Sequence, residues 1–456
     1  MCATYDAVGL PTTARAPSLG HVHIASSPVN GLPATIRTVG LPSALSSRAL
    51  LSLLPRTVTT MSWVTTDDDG EDSGLVGWGE AARLEIGGAE RFSRAQRWWS
   101  QWLSSADAED DIDLPGTGPV AFASFAFDSQ PGSSVVVVPK IVIGRRGGIT
   151  WLTVVAASSG EAAHAVAETL AALGHPTAVP PAPTGVTYTE GSLSVPEWQT
   201  AVGEAVGRIG KGELDKVVLA RDVIATADSP IDPRYLLTTL ASRFPNCWTF
   251  SVDGLIGATP EMLVRRMGDS VTSRVLAGTV RRSSDASSDA SLASALLESP
   301  KDHAEHEYAV QSVALALATH CTDLDVPSTP RLLRLANVQH LATDVSGVLA
   351  DGAPVLALAA SLHPTAAVCG TPTERAFAVI RELEGMDRGR YAGPVGWMDS
   401  RGDGEFGIAL RCAAIESDRR LRLFAGCGLV AGSDPDDELA ESQAKFRAMR
   451  GVLEPL

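Results

Sequence analysis

The fold class turns on "PVAFASFAFDSQPGSSVVVVPKIVIGRRGGITWLTVVA", residues 119–156. Residues 119–127 alternate with a period of two, 134–144 are dense in β-branched side chains, and 149–156 repeat that character. β-Branched residues suit a pleated, half-buried surface, and the Asp, Ser, Gly and Pro between the runs break it into strands. The stretch therefore predicts an antiparallel meander, with "SVVVVPKIVIG" (134–144) as one strand of it.

On its N-terminal side, residues 1–60 are rich in Pro, Ser and Thr, and their weak patterning predicts a loosely ordered start. "TDDDGED" (66–72) and "DAEDDID" (107–113) read as exposed acidic loops. Between them "FSRAQRWWSQWL" (92–103) has helical spacing, with Phe92, Trp99 and Leu103 on a related face. On the C-terminal side, "EAAHAVAETLAALG" (161–174) reads as a helix closed by Gly174, and "HPTAVPPAPTGVTYTEGS" (175–192) as a linker with neither helical nor strand period. A second helix follows a Ser cap and a Pro, with Trp198, Val202, Val206 and Ile209 as its apolar stripe. "DKVVLARDVIA", "WTFSVDGLIGATP", "GEFGIALRCAAIE" and "LRLFAGCGLV" read as strands, the last ending in a glycine-rich turn. Strands in runs, without strict alternation with crossover helices, predict an α+β layout.

Bulk composition narrows the function. The 456 residues carry a formal net charge of −16, which disfavours nucleic-acid or anionic-membrane partners. An anionic small substrate would then need locally placed cations or a divalent metal. Six scattered cysteines without a CxxC pair suit reduced thiols in the cytoplasm. No leader pattern and no membrane-length apolar run is read.

Several short patterns carry no chemistry of their own. "HAEHE" (303–307) is not HExxH, and "AGCGLVAG" lacks the Lys-Ser of a phosphate loop. Two acidic stretches are more suggestive. Read as one helix, "ESPKDHAEHEYAV" (298–310) puts Glu298, Asp302 and Glu305 on one face. "DPDDELAESQAKF" stacks Asp437, Glu438, Glu441 and Lys445 in the same way. Such faces either meet solvent or jointly hold a hard divalent ion through oxygen. Lys216 interrupts an apolar strand, and reads either as a base among buried neighbours or as part of an exposed strand face. Glu261 follows a Thr-Pro turn that could open a helix.

Taken in order, "DKVVLARD", "GATPEMLVRR", "VLAGTVRR", "ESPKDHAEHEYAV", "VQHLATDVSG", "LHPTAAVCGTPTERA", "YAGPVGWMDSRGDGEF", "IALRCAAIE" and "LFAGCGLVAGSDPDDELAESQAKF" resemble the chorismate-utilising enzymes, isochorismate synthases in particular; the chain length and extended N-terminal half favour the menaquinone-pathway type. The resemblance implies large, mostly antiparallel β-sheets packed together with helices on the outside. It implies a variable, structural N-terminal half (1–190) and a catalytic, chorismate-binding region (191–456). By motif match, Glu305 and Glu441 would hold Mg2+, with Glu298, Glu438 and His306 positioning the ligands or their waters. Lys216 would be the base that activates water for attack at C2 of chorismate, and Glu261 the acid that protonates the departing C4 hydroxyl. Those roles need a neutral lysine and a protonated glutamic acid, the reverse of their usual states.

Arg411 and Lys445 match the cations that bind the substrate carboxylates; Gly278, Ala367 and Gly426 match backbone positions around it, and His340 a histidine near the ring. His363 reads as structural. Anthranilate synthases carry an amide where Lys216 stands, and aminodeoxychorismate synthases a nucleophilic lysine where Ala277 stands. The implied activity is therefore an isomerase using water, a monomer with no glutamine amidotransferase partner. Salicylate synthase, which goes on to eliminate pyruvate, and an inactive chorismate-binding paralogue are the alternatives.

Overall fold

The computed structural model describes residues 34–454 apart from 57, 58, 68, 69, 131, 176, 177, 336 and 337. Most of the weakly patterned start, with Cys2, lies outside the described residues. Its described part is ordered, however, with a strand at Thr35–Gly40 and short helical turns at Ser43–Ser46 and Leu50–Leu53.

Pro139 corrects the simple meander. Val120–Ser124 pairs antiparallel with Ser134–Val138 in one sheet, and Ile141–Arg146 pairs antiparallel with Ile149–Ala156 in the other. "SVVVVPKIVIG" is thus two strands. Proline has no N–H for a ladder, so the chain leaves the first sheet there and joins the second. The same device recurs at Pro260, between Leu255–Thr259 of one sheet and Met262–Met267 of the other. Glu261 therefore sits where the chain crosses between sheets, and opens no helix.

The result is a thirteen-stranded and a ten-stranded sheet, packed together and carrying helices, an α+β fold. Pairing is antiparallel among the described strands, except that Thr35–Gly40 runs parallel to Asp107–Asp110. The second acidic stretch is therefore partly an edge strand, with its side chains turned to solvent. The 175–192 segment likewise contains a strand, Thr187–Glu190, paired with the end of Lys216–Thr226.

Strands from either side of residue 190 run in both sheets. Thr60–Thr66 pairs with Trp248–Val252, placing Trp63 opposite Phe250, and Val120–Ser124 pairs with Pro394–Asp399. Trp63, Phe122, Phe250, Trp397 and Phe406 are fully buried in one hydrophobic cluster spanning the two halves.

Two further corrections bear on the site. Helix Ala286–Glu298 stops before Ser299, whose side chain caps the next helix, Pro300–Leu317, by accepting from Asp302 N at 3.2 Å. A residue before proline is pushed out of the helical region, so the break is local chemistry. Glu298 is exposed on the preceding helix and shares no face with Glu305. The "AGCGL" run is not a turn: Gly426 and Gly428 lie within strand Arg420–Leu429. No helix among the described residues is long and apolar enough to cross a membrane.

Candidate active site

Strands Lys216–Thr226 and Arg420–Leu429 pair along nearly their whole length and form one wall of a cavity. Glu261, Leu276, Ala277 and Thr279 face it from the other sheet, and the helices of Glu305 and Lys445 close it. Glu305, His340, Ala367, Arg411, Gly426 and Lys445 of the expected set line this cavity together with Glu261. Lys216 and Glu441 are not in the lining but pair with Glu305 and Lys445, which are, and Gly278 lies between the lining residues Ala277 and Thr279.

Lys216 is fully buried at the start of its strand, so the exposed-face reading fails. Its Nζ lies 3.1 Å from Glu305 Oε1, as an ion pair without hydrogen-bond alignment. Burial alone would raise the Glu305 carboxyl, but the adjacent Lys216 charge outweighs it and holds Glu305 below the usual range. Gly428 makes room for this pair. A Cβ there would lie 2.2 Å from Glu305 Oε1 and 3.2 Å from Lys216 Cε.

Glu261 has the opposite balance. Burial pushes its carboxyl up to about 8, against the pull of Lys216 and Arg411. It is therefore a protonated acid at neutral pH.

Arg411 holds a left-handed backbone, φ 48°, at the edge of strand Cys412–Ser417. Such a conformation in a non-glycine residue persists only where the surroundings fix it. Its Nη2 donates to His340 Nε2 at 3.0 Å, so the imidazole proton is on Nδ1, which donates to Thr279 Oγ1 at 3.0 Å. Burial and the Arg411 charge keep His340 neutral, far below its ordinary pKa. Gly278, at φ 73°, allows the bulge that turns Thr279 toward His340. A Cβ at Gly278 would meet Asp302 Cβ at 3.1 Å.

The Glu441 helix begins on an Asp434 cap followed by Pro435, the same device that starts the Glu305 helix. Glu441 Oε1 lies 2.5 Å from Lys445 Nζ, and Lys445 also donates to Gly426 O at 2.8 Å. Burial opposes the Lys445 charge, but Glu441 more than restores it. Cys427, Glu438 and Glu441 offer donor atoms within 4.8 Å of one another, and Glu305 lies outside that cluster. Burial and the Glu441 charge raise Glu438 to about 7, while Lys301 approaches it at 3.4 Å.

His306 faces away from this group. Its Nδ1–H donates to Ala277 O at 3.2 Å and its Nε2 accepts from Thr343 at 2.8 Å. Burial lowers it to about 4, so it is a neutral brace between helix and strands. His363 is structural too, bonded to Phe127 O at 2.9 Å.

The sequence reading missed Thr279, Tyr391 and Arg388 as cavity residues. Tyr391 stacks on Phe424 at 4.9 Å, and a Cβ at Gly426 would come within 3.2 Å of its hydroxyl. Its signal was a lone aromatic hydroxyl in the glycine-rich "RGRYAGPVG".

A cavity pairing a buried lysine and a protonated carboxylic acid with two further cations defines an enzyme for a small anionic substrate. Residues 49–454 match the family described as chorismate binding enzyme, and the chain belongs to that family. It is 34% identical over 401 residues to the isochorismate synthase MenF of Bacillus subtilis, covering 83% of this chain and 85% of that protein. It is 44% identical over 278 residues to the isochorismate synthase DhbC of the same organism, covering 58% of this chain and 70% of that protein. The solved structure of MenF, the menaquinone-specific isochorismate synthase of Escherichia coli, matches with a TM-score of 0.74 at 28% identity, covering 93% of this chain and 97% of that one.

Proposed function

We infer that the protein is an isochorismate synthase, an isomerase that converts chorismate to isochorismate by attack of water at C2 and loss of the C4 hydroxyl. The observation that carries this reading is Glu261, a carboxyl held up to about 8 by burial in a cavity it shares with Arg411 and Lys445. Hydroxide is a poor leaving group, and a positioned neutral acid is what its departure requires. Lys216 is the base that takes the proton from the attacking water, a role open to it only once it has given up the proton with which it pairs Glu305. Arg411 and Lys445 hold the substrate carboxylates, which a chain of net charge −16 would otherwise repel. His340 is fixed against Arg411 and orients it. Ala277 puts a methyl group in the cavity where aminodeoxychorismate synthases carry a nucleophilic lysine, and a methyl group can form no such adduct.

The proposed cofactor is Mg2+. Carboxylate oxygens on two capped helices suit a hard divalent ion: Glu441 shares a donor cluster with Glu438, and Glu305 would leave its pairing with Lys216 to join them. Glu305 and Glu441 would hold it, with Glu438 beside them, and it would supply charge to bind a substrate carboxylate. Because water is the nucleophile, no amidotransferase subunit is needed; a monomer is proposed as the working unit. The five described cysteines are free and buried, which supports a cytoplasmic setting. The menaquinone-pathway type is supported by the extended N-terminal half, which the MenF relative shares in a match covering 83% of this chain. Incubating the purified protein with chorismate and Mg2+ and separating the products tests the reading. Isochorismate without pyruvate is expected; salicylate with pyruvate, or no turnover, would overturn it.

A further inference from the structure

The strand that carries Lys216 has an incomplete sheet edge. On one side it pairs with Arg420–Leu429 from Val217 to Thr226. On the other it pairs with Gly370–Thr371 only at Lys216 and Val217, and with Thr187–Glu190 only at residues 223–226. Among the described residues no strand pairs with 218–222 on that side, yet 218–222 are buried. Buried backbone groups need partners.

Single side chains and a loop carbonyl fill the gap. Val218 N donates to Cys369 O at 2.8 Å, and Val218 O accepts from Arg388 Nη2 at 2.7 Å. Ala220 N donates to Glu384 Oε1 at 2.7 Å, and Ala220 O accepts from Trp198 Nε1 at 3.1 Å. Glu384 and Arg388 are themselves an ion pair with side chains 1% and 2% exposed, joined also through Nε at 2.8 Å. Arg388 Nη1 donates to Val368 O at 2.8 Å, beside Ala367 in the cavity wall. One guanidinium thus ties the Lys216 strand to the loop of Ala367.

A buried ion pair is weak evidence of stabilisation, because apolar replacements of similar volume are often as stable. What this pair supplies is a fixed distance between two walls of one cavity. We propose that Glu384 and Arg388 are positioning residues for the reaction, setting the register of the Lys216 strand against the substrate-facing Ala367–Val368 loop. The proposal rests on the isochorismate synthase reading. Arg388 borders the cavity, but its Nε, Nη1 and Nη2 are taken up by Glu384, Val368 O and Val218 O, so both residues act through Lys216 and the loop, where a displacement of about 1 Å can cost on the order of 100-fold in rate.

Arg388→Lys keeps the charge opposite Glu384 but loses the planar fork that reaches both carbonyls. Glu384→Gln keeps an acceptor for Ala220 N but removes the charge that aims Arg388. Each variant is compared with wild type for kcat, chorismate KM and melting temperature. The expected result is a fall in kcat of about 10- to 100-fold, with KM changed less than threefold and a cooperative melt retained in at least one variant. Wild-type kcat per folded molecule in both variants, or failure of both to fold, would make the pair structural only and overturn the proposal. Absence of isochorismate from the wild-type control would instead sink the underlying reading.

Discussion

Two ionisable side chains, Lys216 and Glu261, divide the labour that the account assigns to the cavity. If Glu261 is the acid, kcat/KM must hold while it is protonated and fall as the pH rises through about 8, the value to which burial pushes it. Glu261→Gln should lose about 10²- to 10⁴-fold in rate and with it that alkaline limb. A Gln variant that keeps the limb would assign it to another group. Lys216→Gln should lose rate by at least about 10²-fold while still binding chorismate, because Arg411 and Lys445 remain. Calorimetric titration and steady-state rates separate the two effects, and near wild-type turnover would leave the lysine without its role. At this scale the sequence was informative about identity and poor about environment. "DKVVLARD" and "GATPEMLV" singled out the two residues, but burial of Lys216 depends on Glu305 and Gly428, far away in the chain. Thr279, Tyr391 and Arg388 carried no local signal strong enough to mark them, since only the folded cavity brings them together.

Elements decide whether those residues meet. Strands and helices with strong periodicity were legible: Arg91–Ser104, Ser159–Leu173 and Val195–Gly210 fall where the spacing puts them. The errors cluster at proline and glycine. Pro139 and Pro260 move the chain between sheets, Pro300 starts a new helix, and Gly426 and Gly428 sit inside a strand instead of ending it. Local pattern finds an element but cannot say which sheet it joins. Gly428 offers the sharpest test. Ala at this position would place its Cβ 2.2 Å from Glu305 Oε1, the far end of a flexible side chain. Gly428→Ala should therefore fold with little change in melting temperature but displace Glu305. Apparent Mg2+ affinity, read from the metal dependence of turnover, should fall about 10- to 100-fold. An unchanged Mg2+ dependence would remove Glu305 from the proposed metal site.

Across the whole molecule, the α+β class and the antiparallel sheets were readable from 119–156, whereas the sharing of both sheets by the two halves was not. Pairing of Thr60–Thr66 with Trp248–Val252, and of Val120–Ser124 with Pro394–Asp399, is a long-range fact without a sequence pattern. It has a consequence for truncation. Removing residues 1–190 would open both sheets along these strands and expose Phe250 and Trp397, a template for aggregation. The 191–456 fragment should be insoluble; a soluble, active fragment would make the N-terminal half a separable module. Solvent water should supply the new hydroxyl while the C4 hydroxyl departs, and turnover in ¹⁸O-labelled water reads this out. Isochorismate recovered early in the reaction and analysed by mass spectrometry should carry one solvent oxygen, located at C2. Unlabelled isochorismate formed at the same rate would mean that the hydroxyl moves within the substrate, and would contradict the roles given to Lys216 and Glu261.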